Sequence, residues 1–183
     1  MVPLNLGEKM KVMPIIASVG IGLSVMFLSF VLSNNQMLMP IKVYYNMLSA
    51  EAKQEITCLA DNIFYESAFE PKEGKLAVAF VTLNRTKHDV FGESICEVVK
   101  QKTGRTCQFS WYCQEKLLTK NDNPVYNEIL KLATYVYVNH DKMEDPSGGA
   151  LFYHADYVKP GWKNMQKTAV IGRHIFYIRK DFL

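Results

Sequence analysis

The apolar positions of the first fifty residues have no period. A run from Pro14 to Leu32 is almost wholly hydrophobic, and no charged side chain occurs between Lys11 and Lys42. As a helix rising about 1.5 Å per residue it covers roughly 27 Å, close to the hydrocarbon thickness of a bilayer. The run predicts a transmembrane signal anchor over residues 14–33. Lys9 and Lys11 keep the short N-terminus, residues 1–13, cytoplasmic and send everything after Asn34 outward. The alternative is a cleaved signal peptide, for which Val31, Leu32 and Ser33 make a poor peptidase site. Ala17, Ser18, Gly20, Gly22, Ser24 and Ser29 dilute the run and favour an anchor that can leave the bilayer. Gly20 and Gly22 equally suit close helix packing. A linker with Pro40 follows over residues 34–48.

At Ser49 the pattern becomes helical and a folded domain over residues 49–183 begins. Ser49 is a suitable N-cap, and Ile56, Leu59, Ala60, Ile63 and Phe64 then recur at helical spacing. Glu66 falls at the margin of that apolar stripe, where a carboxylate borders a cleft. Pro71 ends this helix by about Phe69 and opens a second, with Leu76, Ala79, Phe80 and Leu83 on one face and Ala77, Val78 and Val81 on the other. Such a helix is buried. Ser94 and Glu97 have capping-box spacing before Val98 and Val99. Residues 104–114 read as a loop, in which Trp111 and Tyr112 are exposed as either sugar-stacking platforms or loop anchors. Asn123 and Pro124 open an amphipathic helix through Tyr137. Residues 150–154 and 171–178 are short, aromatic and β-branched, which fits a small hairpin. The fold class is α+β, mainly helical with a minor antiparallel element.

Composition narrows the function. The chain has 183 residues, 49% hydrophobic and 21% charged, with a net charge of +3 and no Lys/Arg block, so nucleic acid is not an expected partner. Cys58, Cys96, Cys107 and Cys113 follow the anchor, where an oxidising compartment allows two disulfides in any of three connectivities. Their spacings match no common zinc pattern, the His residues at 88, 140, 154 and 174 are scattered, and no metal or other cofactor is expected.

Two Glu residues four apart, Glu66 and Glu70, say little alone. The local string from Ile63 to Pro71, followed by Glu73-Gly74, Ala77-Val78-Ala79 and Leu83-Asn84-Arg85, says more. So do Ile95-Cys96-Glu97-Val98-Val99, Gln108-Phe109-Ser110, the stretch from Pro146 to His154, and that from Ile171 to Tyr177. In this order the blocks resemble the SleB/CwlJ family of cell-wall hydrolases, the spore-cortex-lytic enzymes and their phage relatives. The resemblance covers about Leu59 to Tyr177, with Glu66 at the family's first Glu. Ala68 and Phe69 depart from its usual Arg and Gly, and residues 100–107 look like an added loop.

The resemblance implies a lysozyme-like, lytic-transglycosylase-like domain. It implies cleavage of peptidoglycan between N-acetylmuramic acid and N-acetylglucosamine, with Glu66 as general acid and then base. Peptidoglycan and, through the anchor, the inner membrane are the expected partners, and an endolysin or a wall-remodelling enzyme outside the membrane is the expected setting. Gln108, Ser110, Tyr153 and His154 carry side chains suited to saccharide hydroxyls and acetamides. Glu70 is either a supporting site residue or a helix-end structural hydrogen bonder, and Asn84 and Arg85 read as structural. Glu66 needs a raised pKa, expected from burial against Phe64 or Phe69. The alternatives are a muramidase cutting the same bond, an amidase, which would ordinarily need a zinc triad, and a non-catalytic wall-binding protein.

Overall fold

The computed structural model describes residues 45–114, 119–120 and 122–182. The predicted anchor at 14–33, the N-terminus before it and residues 34–44 of the linker lie outside the described residues. Among the described residues no helix is long and apolar enough to cross a membrane.

Four helices build the larger layer. Helix α1 (Ala50–Ser67) starts where Ser49 Oγ accepts from the Ala52 N–H at 3.2 Å. It buries Ile56, Leu59, Ala60 and Ile63 completely. Ile56, Leu59 and Ile63 each contribute about 1.5–3 kcal/mol by this burial. Pro71 immediately precedes α2 (Lys72–Arg85), which is buried on nearly every side from Gly74 to Arg85 apart from Lys75 and Leu76. The short α3 (Ile95–Lys100) carries the full Ser94–Glu97 capping box, and Asn123 Oδ1 caps α4 (Pro124–Asn139) by accepting from Val125 and Tyr126. Helix α1 lies at the centre, packed against α2, α3 and α4, with Val98, Val99, Ile129 and Val136 closing the core.

The presumed loop before α4 is ordered. A two-residue hairpin, β1 (Lys102–Thr103) with β2 (Thr106–Cys107), turns through Gly104 at φ +61° into a 3₁₀ turn at Ser110–Cys113. Disulfides join Cys58 to Cys96, tying α1 to α3, and Cys107 to Cys113, closing the hairpin onto that turn.

The C-terminal β element is a three-stranded antiparallel sheet, larger than the expected hairpin. Strands β3 (Phe152–Ala155), β4 (Met165–Ile171) and β5 (His174–Arg179) lie in the order β3-β5-β4. Strand β4 escapes pattern reading because a register shift between Lys167 and Ala169 breaks its alternation. The inner face of the sheet sets Phe176, Ala169 and Ile171 over Ala77 and Val81 of α2.

Candidate active site

The last turn of α1 carries the site. Ile63 and Phe64 are held in the core, so the helix period turns Glu66 to the boundary between core and solvent, where it is half-buried. It lines a cleft of about 840 Å³ whose other walls include Tyr65, Ser110, Trp111, Tyr153, His154 and His174. Glu66 also borders a smaller hollow of about 390 Å³ on the side of Phe64, Phe69 and Val125.

Tyr153 reaches Glu66 because the start of β3 is fixed from below. Asp145 accepts hydrogen bonds from Ser147 N, Ser147 Oγ and Gly149 N at 2.7–2.9 Å and from Asn84 Nδ2 at 2.8 Å. Gly148 and Gly149, at φ +65° and +77°, make the turn that this cage requires. Asn84 Nδ2 and Arg85 Nε then donate to Ala150 O and Leu151 O at 3.2 and 2.8 Å. The C-terminus of α2 therefore aims β3, and Tyr153 Oη donates to Glu66 Oε2 at 3.0 Å. This is the structural role expected of Asn84 and Arg85.

Three effects set the proton affinity of Glu66. Burial raises its pKa above the usual carboxylate value and is the largest; the Tyr153 hydrogen bond and the buried Arg85 cation act against it. The expected upward shift is present and comes from burial as expected, with Phe64 in the core beside it but without Phe69. Phe69 is 92% exposed and shields nothing, because the chain turns out to solvent after Ser67. Burial also pulls Arg85 down to about 10, which leaves it a cation at neutral pH. Its guanidinium is enclosed by the rings of Phe91, Phe109 and Phe152. Burial and the neighbouring Glu66 push the Tyr153 hydroxyl well up, so it stays a donor.

Of the other expected site residues, Ser110, Tyr153 and His154 line the cleft and Gln108 does not. With its oxygen toward the guanidinium, Gln108 accepts from Arg85 Nη1 and Nη2 at 3.2 and 3.1 Å, so its role is to hold Arg85. His154 contributes ring surface. Its Nδ1 lies 2.8 Å from Ala155 O, which only accepts, and its Nε2 lies 3.2 Å from Tyr177 Oη, so both nitrogens are occupied within the protein. Glu70 Oε2 accepts from Arg173 N at 2.9 Å, pinning the β4–β5 turn to the end of α1, the structural alternative rather than a site role.

Two further residues line the cleft: Trp111, read as either a sugar-stacking platform or a loop anchor, and His174, which the sequence did not single out. Trp111, expected in an exposed loop, is 7% exposed. Its Nε1 donates at 3.1 Å to Asn62 Oδ1, and its ring stacks on Tyr65 with centroids 4.6 Å apart. Asn62 is itself fully buried and donates to Thr82 Oγ1 at 3.0 Å, so Trp111 hangs from the α1–α2 contact. His174 stands opposite Ala155 and packs edge-on against Tyr153, its pKa lowered chiefly by burial. Strand alternation would have found it, but only once the β3–β5 register was known.

Among the described residues, no group of three or more His, Cys, Asp or Glu side chains gathers where it would hold a metal ion. Glu66 is the sole carboxylate among the described residues lining the larger cleft.

Comparison with known proteins gives a consistent set. The Cell Wall Hydrolase family matches residues 69–177. The match starts just after Glu66, whose place in the site rests on the geometry above. Spore cortex-lytic enzymes of Oceanobacillus iheyensis and Halalkalibacterium halodurans are 27% and 26% identical over 133 residues, 72% of this chain. The chain spans only 44% and 37% of those two proteins' lengths. Among solved structures, the catalytic domain of Bacillus cereus SleB superposes with a TM-score of 0.50 at 26% identity, covering 69% of this chain and 91% of that domain. The catalytic domain of the germination-specific lytic transglycosylase SleB from Bacillus anthracis gives 0.53 at 28% identity, covering 73% and 98%.

Proposed function

We propose that this chain, which belongs to the Cell Wall Hydrolase family, cleaves the glycan strands of peptidoglycan between N-acetylmuramic acid and N-acetylglucosamine as a lytic transglycosylase. The observation that carries the reading is a carboxyl of raised pKa, hydrogen-bonded to Tyr153, that is the only carboxylate among the described residues of its cleft.

Breaking a glycosidic bond requires a proton on the leaving oxygen while positive charge builds at the anomeric carbon, and most hydrolases add a second carboxylate as nucleophile or base. In the proposed reaction the Glu66 carboxyl protonates the N-acetylglucosamine O4 as the C1–O4 bond breaks. The muramic acid 6-hydroxyl oxygen then bonds to C1, closing a 1,6-anhydro ring, and its proton passes to the Glu66 carboxylate. No water is consumed and Glu66 ends as it began. The intramolecular hydroxyl needs no second carboxylate, because its effective concentration is high. Burial favours the acid form of Glu66 that the first step uses, while Tyr153 and Arg85 favour the anion it becomes after giving up the proton. The absence of charged residues over 14–33 supports a site of action beyond the membrane, with that segment as anchor.

The test is clearance of purified peptidoglycan by the full chain beside Glu66→Gln. A drop of about 10² to 10⁴-fold is expected from loss of the general acid; a Gln variant clearing at the parent rate rules the reading out.

A further inference from the structure

The sheet has a second aromatic face. Side chains alternate along β3, so Tyr153 points with Phe176 toward α2, while Phe152 and His154 stand on the opposite face beside Tyr177 and Ile175 of β5. There His154 stacks on Tyr177, with centroids 5.3 Å apart and 17° between the planes. Trp162, from the β3–β4 connection, meets Phe152, His154 and Tyr177 at 5.8, 5.6 and 6.1 Å. A groove of about 330 Å³ runs beside them, with Asp156 and Lys159 on its wall. Trp162 remains 44% exposed in it.

This groove adjoins the catalytic cleft: His154 and Val158 line both. The two lie on either side of β3, which is an edge strand of the sheet. A strand of linked sugars bound at Glu66 has to leave the cleft along some surface. The groove offers flat rings for the C–H faces of pyranoses, flanked by one carboxylate and one ammonium for hydroxyls and acetamides. His154, with both nitrogens engaged internally, offers only its face.

We propose that the Trp162 groove is a second saccharide subsite, holding further sugar rings of the strand whose scissile bond lies at Glu66. It rests on the glycan-cleaving reading of Glu66.

The test compares the parent chain, Trp162→Ala, Trp162→Phe and Lys159→Ala on insoluble sacculi and on a tetrasaccharide of alternating N-acetylglucosamine and N-acetylmuramic acid. Binding to sacculi is measured with Glu66→Gln added to each, so that nothing turns over. Trp162→Ala is expected to weaken sacculus binding about tenfold, with Trp162→Phe recovering most of it, because a ring face is what the site supplies. Lys159→Ala, an exposed change that does not threaten folding, is expected to weaken it about threefold. Tetrasaccharide cleavage is expected to fall less than cleavage of sacculi in each variant, because the shorter substrate fills fewer positions along the groove. Sacculus binding unchanged in Trp162→Ala and Lys159→Ala overturns the subsite, as does a tetrasaccharide rate that falls in step with the polymer. A parent that releases no glycan product while Trp162→Ala still loses sacculus binding sinks the catalytic reading and leaves the subsite standing.

Discussion

Tyr153 and Glu66, 87 positions apart, meet through a 3.0 Å hydrogen bond that joins the edge strand of the sheet to the last turn of α1. The bond acts on chemistry as well as on packing. It favours the ionised carboxylate, opposing the burial that favours the acid.

Tyr153→Phe removes the hydroxyl and keeps the ring. The pKa of Glu66 then rises further, and the alkaline limb of the kcat/KM profile, where the acid form is lost, moves to higher pH. A profile measured across neutral pH checks this; movement of that limb to lower pH contradicts the assigned role of the bond.

A carboxyl whose pKa is higher folded than unfolded leaves the native state holding the extra proton between the two values, so stability falls as pH rises through that window. For Glu66 the fall begins near the unfolded value of about 4.3 and is complete above the raised folded value. Glu66→Gln is therefore expected to be more stable than the parent at pH 8, with the gap closing toward pH 4. Urea midpoints at the two pH values measure it.

Glu70 and Gly172 make a separate structural contact. Gly172 sits at φ +56°, and a Cβ on it would lie 1.9 Å from Glu70 Oε2. Gly172→Ala is expected to cost about 1–3 kcal/mol from backbone strain and displacement of the carboxylate. Adding Glu70→Ala relieves the displacement, so the double variant loses less than the sum of the single ones. Unfolding free energies of the three variants decide; strict additivity counts against the contact.

The helices were legible because their ends are written locally: Ser49, the Ser94–Glu97 box and Asn123–Pro124 each act within one turn. The position of Glu66 at the margin of the core was legible too, from its place beside the apolar stripe of α1. The strand β4 was not, since a bulge hides its period. Trp111 misled because its partner Asn62 is 49 residues away and nothing local marks the pair. Gln108 had the right chemistry for a sugar, but whether it meets substrate or Arg85 depends on packing between distant segments. The cysteine pairing was open for the same reason.

The two disulfides differ in what they constrain. Cys58–Cys96 spans 38 positions and Cys107–Cys113 spans 6. Loop entropy gives about 4 kcal/mol for the first and about 2 kcal/mol for the second. Paired Cys→Ala variants should rank in that order in urea midpoint, Cys58→Ala/Cys96→Ala losing more; equal losses would show that the long loop is already restrained in the unfolded chain.

Mass spectrometry of the fragments released from purified sacculi addresses the central claim most directly. A lone acid at Glu66, with the sugar's own hydroxyl as nucleophile, yields muramic acid ends in the 1,6-anhydro form, 18 Da lighter than reducing ends by the loss of one water, and Glu66→Gln yields none. Reducing N-acetylmuramic acid ends from the parent would mean that water attacks instead, and cleavage surviving in Glu66→Gln would mean that another group supplies the proton.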